Sequence, residues 1–184
     1  MSLPEGFRYQ PELISDADEA SLVEAIAAVS FSAFEMRGVV ARRRVAFFGE
    51  SYAGAEASPV PAFLLPLRAA IGTWAAIDPA AFGMVLINEY RPGAPIGWHR
   101  DAPQYDVVAG VSLLSACRMR FRPYVKPGAA TDGSRRRATH EVALERRSVY
   151  LMTGESRNAY EHHIPAVKDL RYSITFRTFR ASRR

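Results

Sequence analysis

The sequence predicts a mainly β protein with helices, an α+β fold in which a jelly-roll double sheet packs against N-terminal helices. Three observations predict this class: helical spacing of apolar residues in the first 80 positions, short β-branched and aromatic segments from residue 84 onward, and Gly, Pro and polar turns between those segments. Eight short strands after two helices are typical of two packed sheets with a helical layer outside them.

The two predicted helices cover residues 15–29 and 61–74. Ser15 and Asp16 are common capping residues, and apolar side chains follow them at helical spacing. Pro61 suits the first position of the second helix, in which apolar side chains also form a stripe. Both segments therefore indicate amphipathic helices that lie outside the sheets.

The predicted strands lie between residues 84 and 179. They are Met84–Tyr90, Ile96–Asp101, Val107–Leu114, Arg118–Tyr124, Thr139–Leu144, Ser148–Met152, His162–Ile164 and Arg171–Phe179. The basic tract 126–137 contains Pro-Gly and Asp-Gly pairs and predicts a long hairpin loop. Without an internal repeat or linker, one domain is expected over 1–184, with helices and a lid in 1–80 and the jelly-roll core in 81–180.

Composition narrows the class of protein further. The 184 residues carry a net charge of +5 and a sequence pI near 9.7, which favours polyanionic partners, although a soluble basic protein without such a partner has the same composition. No apolar run is long enough to span a bilayer, and Met1–Gln10 lacks a signal pattern, so a cytoplasmic protein without membrane contact is expected. Cys117 is the single cysteine and cannot form an internal disulfide.

A basic and aromatic segment precedes the second helix. Residues 38–54 contain three consecutive arginines, Arg42 to Arg44, and then Phe47, Phe48 and Tyr52. One interpretation is a lid that contacts a phosphate backbone and stacks on a base. The more common structure for such a segment is a strand, an aromatic plug and a loop, and the residues alone leave both interpretations open.

A metal site is predicted around His99 and Asp101. On a strand, residues two apart point to the same face, so the imidazole and the carboxylate can converge. A two-histidine, one-carboxylate iron site needs one more imidazole and leaves positions open for a co-substrate and oxygen. Three later histidines are candidates, His140, His162 and His163, and the pair at 162–163 is better placed because it comes shortly before the last strand.

The last strand suggests what occupies the open positions. Odd positions of 171–177 are polar and even positions are apolar, so Arg171 and Arg177 share the polar face. Two arginines turned into a barrel need anions, and the span of about 20 Å between their Cα atoms, less the two side chains, fits a short dicarboxylate. Asn88 and Tyr90 can donate further hydrogen bonds to its carboxylates. A strand of surface arginines is the alternative.

Together these motifs resemble the AlkB family of iron(II)- and 2-oxoglutarate-dependent dioxygenases. The resemblance covers about residues 84–178 and is weaker over Arg43 to Tyr52, which resembles the family's substrate lid. Its motifs, in order, are Asn88-Glu89-Tyr90-Arg91-Pro92-Gly93, Ile96-Gly97-Trp98-His99-Arg100-Asp101, Val111-Ser112-Leu113, Gly154-Glu155-Ser156-Arg157, His162-His163-Ile164 and Arg171-Tyr172-Ser173-Ile174-Thr175-Phe176-Arg177. It implies a double-stranded β-helix, which is the jelly-roll architecture.

The resemblance also implies a role for each site residue. The expected iron ligands are His99, Asp101 and His162, with His163 as a neighbour of the site. The residues expected to hold 2-oxoglutarate are Asn88, Tyr90, Arg171, Ser173 and Arg177, with the two arginines on opposite carboxylates. The expected substrate contacts are Arg43, Phe48, Tyr52 and Trp98.

The family's reaction consumes O2, converts 2-oxoglutarate to succinate and hydroxylates a carbon–hydrogen bond, so an N-methyl group is lost as formaldehyde. The resemblance therefore implies an enzyme that demethylates alkylated nucleobases in DNA or RNA, and a monomer is expected. The same chemistry on a protein or small molecule is a second hypothesis, and a catalytically silent nucleic-acid binding domain is a third.

Two positions depart from the family's pattern. An acid that often helps to read the alkylated base is replaced by Pro103, and a glycine that usually follows the Val-Ser-Leu run is replaced by Leu114. Neither change affects the expected iron and co-substrate residues. The first change concerns the identity of the substrate.

Overall fold

The computed structural model describes residues 3–36, 38–50, 58–126, 128 and 139–181. Its strands are β1 (Phe7–Gln10), β2 (Ser32–Met36), β3 (Val39–Gly49), β4 (Met84–Tyr90), β5 (Ile96–His99), β6 (Tyr105–Leu113), β7 (Cys117–Pro123), β8 (His140–Leu144), β9 (Val149–Met152), β10 (Tyr160–Ile164) and β11 (Arg171–Phe179). Its helices are α1 (Asp16–Ala27), α2 (Leu65–Ala75) and α3 (Gly154–Asn158), with 3₁₀ turns at Ala62–Leu64 and Pro79–Ala81. None of the described helices is long and apolar enough to cross a membrane.

Two antiparallel sheets form the framework. The large sheet has seven strands in the order β1-β9-β6-β11-β4-β3-β2, and the small sheet has four in the order β5-β10-β7-β8. The predicted mainly β fold with a double sheet is confirmed. Each of the eight predicted strands corresponds to one of the strands from β4 onward, with ends shifted by up to two residues.

The two predicted helices are confirmed and cover one face of the large sheet. The Ser15 side chain accepts a hydrogen bond from the Asp18 backbone in a capping box, which fixes the start of α1. Leu22 of α1 and Ile71 of α2 join one apolar core with residues of β4, β6 and β11. Pro66 lies in the first turn of α2, where its missing N–H costs no helical hydrogen bond.

Residues 1–80, for which the sequence predicts helices and a lid, contain further elements. This segment also supplies β1, β2 and β3 to the edges of the large sheet. β1 has four residues, too few for a periodic pattern, and its conformation is set by pairing with β9. β3 confirms the strand interpretation of the basic and aromatic segment, while Tyr52 and most of the loop at 126–137 lie outside the described residues.

β11 occupies the centre of the large sheet, between β4 and β6. Its odd positions face the small sheet, and its even positions, which include Ile174 and Phe176, join the core under the helices. The register with β4 places Arg171 beside Tyr90 and Ser173 beside Asn88. One face of two neighbouring strands therefore carries the polar side chains that the sequence singled out.

A β-bulge in the small sheet positions the metal-site histidines. His162 of β10 pairs with His99 of β5, but Ile164 pairs with Ile96, so β5 has one residue more than its partner between these pairs. The extra residue keeps both Ile96 and His99 on the inner side, where they line the same cavity. The predicted strand 96–101 ends at His99, and Asp101 lies just beyond it.

Candidate active site

A cavity of about 230 Å³ lies between the two sheets. It brings together most of the polar side chains predicted from the sequence. The small sheet contributes His99 and His162, and the loop after β5 contributes Asp101. The large sheet contributes Arg43, Asn88, Tyr90, Ser173 and Arg177. Residues from five strands and one loop thus meet at one place, although they are up to 134 positions apart in the sequence.

The three expected metal ligands are neighbours. The ring centroids of His99 and His162 are 4.1 Å apart, and His162 Nε2 lies 3.7 Å from Asp101 Oδ2. His99 Nδ1 is 2.8 Å from the Gly97 carbonyl, which can only accept, so Nδ1 carries the proton and Nε2 keeps its lone pair. This backbone contact is the usual way in which a metal-binding imidazole is oriented.

The donor chemistry fits iron(II), although the three side chains do not converge on a single point. Within the described ranges, no group of three His, Cys, Asp or Glu side chains is assembled at metal-binding distances. Asp101 Oδ1 instead accepts hydrogen bonds from Arg177 Nε at 3.1 Å and Nη2 at 2.8 Å. A small movement of side chains is therefore needed for all three ligands to contact one ion.

The protonation states suit metal binding. Burial, followed by the neighbouring His99, lowers the pKa of His162 to about 3, and burial also lowers the pKa of His99. Burial alone would raise the pKa of Asp101, but the positive Arg177 and the two imidazoles hold this pKa well below its usual range. Two neutral imidazoles and one carboxylate are therefore available at neutral pH without loss of a proton.

Arg171 is not among the residues that line the cavity, but it pairs with Tyr90, which does, and it is the strongest sign of an anion site between the sheets. Its side chain is fully buried, its Nε donates to Ser112 Oγ at 2.8 Å, and its guanidinium lies 5.1 Å from the centre of the Tyr90 ring. Nη1 has no hydrogen-bond partner, and in the part of the chain that the structure describes no carboxylate pairs with Arg171. A buried guanidinium without an anion is costly, so this position fits a carboxylate of 2-oxoglutarate.

The other expected co-substrate residues form the wall between Arg171 and Arg177. Asn88 Oδ1 accepts a hydrogen bond from Arg43 Nε at 3.1 Å, and Ser173 is adjacent to Asn88 across β4 and β11. Burial raises the pKa of Tyr90, so its hydroxyl stays a neutral donor. Three polar side chains can thus orient a bound dicarboxylate in the way that the sequence predicts.

The expected substrate contacts are only partly in the cavity. Arg43 lines it, but Phe48 faces the other side of β3 and packs against the core under the helices. Phe47 takes the position expected of Phe48, and strand alternation could have shown this, since 43, 45 and 47 share a face. Tyr52 lies outside the described residues.

Trp98 does not line the cavity either. Trp98 alternates with His99 along β5 and therefore lies on the outer face of the small sheet, where its ring stacks on His163 at 5.0 Å and the Arg122 guanidinium lies 4.4 Å from its centre. His163 is therefore on the opposite side of β10 from His162, and His140 lies on β8 with its ring 5.8 Å from Tyr160.

Sequence reasoning missed Phe34, Gln104 and Tyr105, which all line the cavity. None of these three residues belongs to a charged or paired motif that could have marked it in the sequence.

Comparison with known proteins gives a consistent result. A family model described as the 2OG-Fe(II) oxygenase superfamily matches residues 33–177. A protein of Arabidopsis thaliana named alkylated DNA repair protein ALKBH8 homolog is 26% identical over 176 residues, covering 84% of this chain and 49% of that protein. The chain thus spans about half the length of this relative.

Two solved structures share the fold. OsALKBH1 superposes with a TM-score of 0.68 at 15% identity and covers 97% of this chain and 100% of its own. A prolyl-4-hydroxylase of Pseudomonas putida superposes with a TM-score of 0.62 at 14% identity, covering 95% and 93%. At these identities the likeness concerns the fold alone, and it agrees with the predicted double-stranded β-helix.

Proposed function

The chain belongs to the 2OG-Fe(II) oxygenase superfamily, and from this premise we propose that it demethylates alkylated nucleobases in DNA or RNA. It is a 2-oxoglutarate-dependent dioxygenase that uses Fe(II), 2-oxoglutarate and O2, and the resemblance to the AlkB family is confirmed. Since the chain is an enzyme, the hypothesis of a catalytically silent binding domain is set aside. The proposal concerns its substrate.

The aromatic wall of the cavity supports a nucleobase most directly. Phe34 and Phe47 lie 6.5 Å apart between ring centroids, and Tyr105 lines the same cavity as the metal-site histidines. Phe47 is 47% exposed, and the Arg43 guanidinium lies 4.4 Å from the Phe34 ring centre. Flat bases stack on such side chains, and a nearby guanidinium adds charge and hydrogen-bond donors.

The chain's own residues prepare the reaction by binding and orientation. Iron(II), with 2-oxoglutarate and O2, supplies the oxidant that hydroxylates a carbon–hydrogen bond of the substrate. His99, Asp101 and His162 would hold the metal on one side, which leaves the other side open. Arg171 would hold one carboxylate of the co-substrate in a dry site, and Arg177 keeps Asp101 ionised and oriented.

Mass spectrometry of short oligonucleotides tests the proposal. The chain, loaded with iron(II) and 2-oxoglutarate, should remove the methyl group from oligonucleotides bearing 1-methyladenine or 3-methylcytosine and release succinate in equal amount. If stoichiometric enzyme leaves the methyl mass in place on both DNA and RNA strands, nucleobase demethylation is the wrong reaction.

A matched pair of variants locates the base. Phe47→Ala should lower kcat/KM for the methylated strand by about 10- to 100-fold, because stacking on one aromatic side chain contributes about 1–3 kcal/mol. Its fold should be retained, since the side chain is half exposed. Phe48→Ala should instead lower the free energy of unfolding, because Phe48 packs against the core. Equal kinetic effects of the two variants would contradict base stacking at Phe47.

The same chemistry on a protein or small molecule is the second candidate. Among the described residues that line the cavity, Asp101 is the only acidic one, and it pairs with Arg177 and His162. No carboxylate is thus left to recognise a cationic alkylated base. This candidate predicts that peptides or metabolites, and no nucleic acid, stimulate succinate formation.

A further inference from the structure

A second concave surface adjoins the cavity on the far side of Asp101. This arginine cleft, of about 580 Å³, is lined by Arg100, Asp101, Pro103, Arg157, Asn158 and Arg180. Arg100 and Asp101 line the cavity as well, so the two spaces share a wall. A molecule that extends from the cavity across this wall would reach the arginine cleft.

The three arginines of the cleft lack carboxylate partners. Throughout the described ranges, no acidic side chain forms an ion pair with Arg100, Arg157 or Arg180. Asp101, the one acid in the cleft, is already held by Arg177. The cleft therefore concentrates positive charge that its own residues do not neutralise.

Arg157 forms the floor of the cleft. It is 4% exposed, and its Nη2 donates to the carbonyl oxygens of Ala102 at 2.6 Å and Tyr105 at 3.0 Å, which fixes the loop that carries Asp101. Its Nε is buried and has no hydrogen-bond partner. Burial lowers the pKa of Arg157; the Asp101 carboxylate opposes this effect, and the neighbouring Arg180, Arg177 and Arg100 add to it.

Arg100 and Arg180 form the exposed walls and are held in position. The Arg100 guanidinium lies 3.6 Å from the centre of the Tyr124 ring and donates to the Asn158 carbonyl at 3.2 Å. Arg180 donates to the Tyr105 carbonyl at 3.2 Å and to the Asn158 side chain. Each guanidinium carries five N–H donors, so both arginines keep donors for an outside acceptor.

We propose that the arginine cleft binds a backbone phosphodiester of the nucleic-acid strand whose alkylated base enters the cavity. The inference rests on the proposed function, since it names where that substrate is held. Planar guanidinium groups suit phosphate oxygens. A base in a strand always has phosphates within a few bonds of it, so a phosphate site across the wall from the cavity suits a nucleotide. Phosphate contacts of this kind set the position of a strand without reading its sequence.

Salt-dependent binding tests the cleft separately from the reaction. Fluorescence anisotropy of a labelled, unmethylated single-stranded pentanucleotide would be measured on the full chain loaded with Mn²⁺ and 2-oxoglutarate, over a range of NaCl concentrations. Arg100→Gln and Arg180→Gln should each weaken binding severalfold and reduce the slope of log K against log [NaCl] by about 0.7 for each phosphate that the variant no longer binds. Arg180→Lys should keep the slope, because it keeps the charge.

A matched control is Arg118→Gln. Arg118 is an exposed arginine at the start of β7, whereas Tyr124, which contacts Arg100, follows the other end of this strand. Arg118 pairs with Glu141, so its replacement should leave affinity and slope unchanged. Thermal melting would show that every variant is folded. The cleft is not a phosphate site if Arg100→Gln and Arg180→Gln bind the strand as tightly as the wild type does. The same conclusion follows if these arginines contribute to the binding of an acidic peptide, polyglutamate, but not to the binding of the strand.

The two proposals fail in different ways. Demethylation by the wild type with no change of affinity or slope in the two variants would overturn the cleft and leave the proposed reaction standing. An arginine-dependent slope without any demethylation would overturn the reaction and support the cleft as a nucleic-acid contact.

Discussion

Arg171 and Arg177 lie on the same face of β11 but meet different partners. Arg177 forms an ion pair with Asp101 at 2.8 Å, whereas Arg171 has a serine, a tyrosine ring and one nitrogen without a partner. The sequence predicted that both would need anions. In the structure the anion next to Arg177 is the Asp101 carboxylate. Arg177 would therefore have two roles, to bind the co-substrate and to orient Asp101.

Replacing Arg171 by methionine should separate stability from co-substrate binding. A buried cation without a counterion contributes little to folding, so Arg171→Met should change the free energy of unfolding of the metal-free protein by no more than about 1 kcal/mol. The KM for 2-oxoglutarate should rise about 100-fold, since the variant cannot form a charged hydrogen bond in this dry site. Succinate assays and urea unfolding measure the two effects; an unchanged KM would contradict the assignment.

Glu89 should make the stability of the protein depend on pH. Its side chain is buried and accepts hydrogen bonds from Arg44 and Arg91. The hydrogen bond from Arg44 is the main reason that the pKa of Glu89 lies below the usual 4.5, and Arg91 adds to this effect, whereas burial opposes it. A lowered pKa stabilises the folded state above pH 4.5, and this contribution disappears as the pH falls through the folded-state value.

Glu89→Gln should therefore lower the free energy of unfolding by about 1–2 kcal/mol at pH 7. The difference from the wild type should shrink when urea unfolding is repeated below pH 4. Glu24→Gln, an exposed change on α1, is the control and should have little effect at either pH. A Glu89→Gln deficit that stays constant between pH 7 and pH 3.5 would mean that the variant disturbs packing rather than charge.

At the scale of elements, two local irregularities decide the site. The bulge in β5 places Ile96 on the same inner side as His99, while Trp98 faces outward by ordinary alternation, and the end of β5 at His99 places Asp101 in a loop. The sequence predicted a regular strand to Asp101, because an extra residue in a bulge is defined by the partner strand and leaves no periodic signal. The two ligands still lie close together, but the substrate role expected for Trp98 loses its geometric basis.

Leu114 shows how a departure from the family pattern is accommodated. It adopts a left-handed backbone with φ of 71°, which glycine would adopt without strain and which costs another residue about 1–2 kcal/mol. Its N–H donates to the buried Glu19 carboxylate at 2.8 Å, which also accepts from Arg146. Glu19 of α1 thus stabilises the turn after β6 at the position where the family usually has a glycine.

Gly49 at the end of β3 should not tolerate a side chain. Its φ is +83°, and a Cβ atom there would lie 2.1 Å from the Gly83 carbonyl oxygen, so both backbone strain and a clash oppose the change. Gly49→Ala should lower the free energy of unfolding by about 2–4 kcal/mol in urea denaturation. Gly93→Ala is the matched control: φ is +84°, but the nearest atom is 3.9 Å away, so only the strain of about 1 kcal/mol applies. Equal destabilisation by the two changes would contradict the clash.

At the scale of the whole molecule, the site joins the two sheets. The small sheet carries His99 and His162, and the large sheet carries Arg171 and Arg177. A metal ion with a bound co-substrate would therefore bridge the sheets, in addition to the ion pair between Arg177 and the Asp101 loop. Ligands that bind only the folded state raise its stability by mass action.

Metal and co-substrate should stabilise the molecule together more than either does alone. With Mn²⁺ present and oxygen excluded, 2-oxoglutarate at about 100 times its Kd should contribute about 2.7 kcal/mol, a rise in Tm of about 5–10 °C for a domain of this size. Removing the metal with a chelator should abolish most of the rise, and His162→Ala should show little of it. Equal shifts with and without metal would contradict a shared site.

The sequence by itself determined the fold class, the two helices, the strands from residue 84 onward and the residues grouped at the site, because periodicity and motif order are local properties of the chain. The tertiary structure alone decided the strand character of Phe7–Gln10, the bulge that turns Ile96 inward and the arginine cleft. Each of these depends on a partner distant in sequence, β9, β10 or the loop at 100–105. Pairing register and charge accumulation between distant segments leave no pattern within either segment.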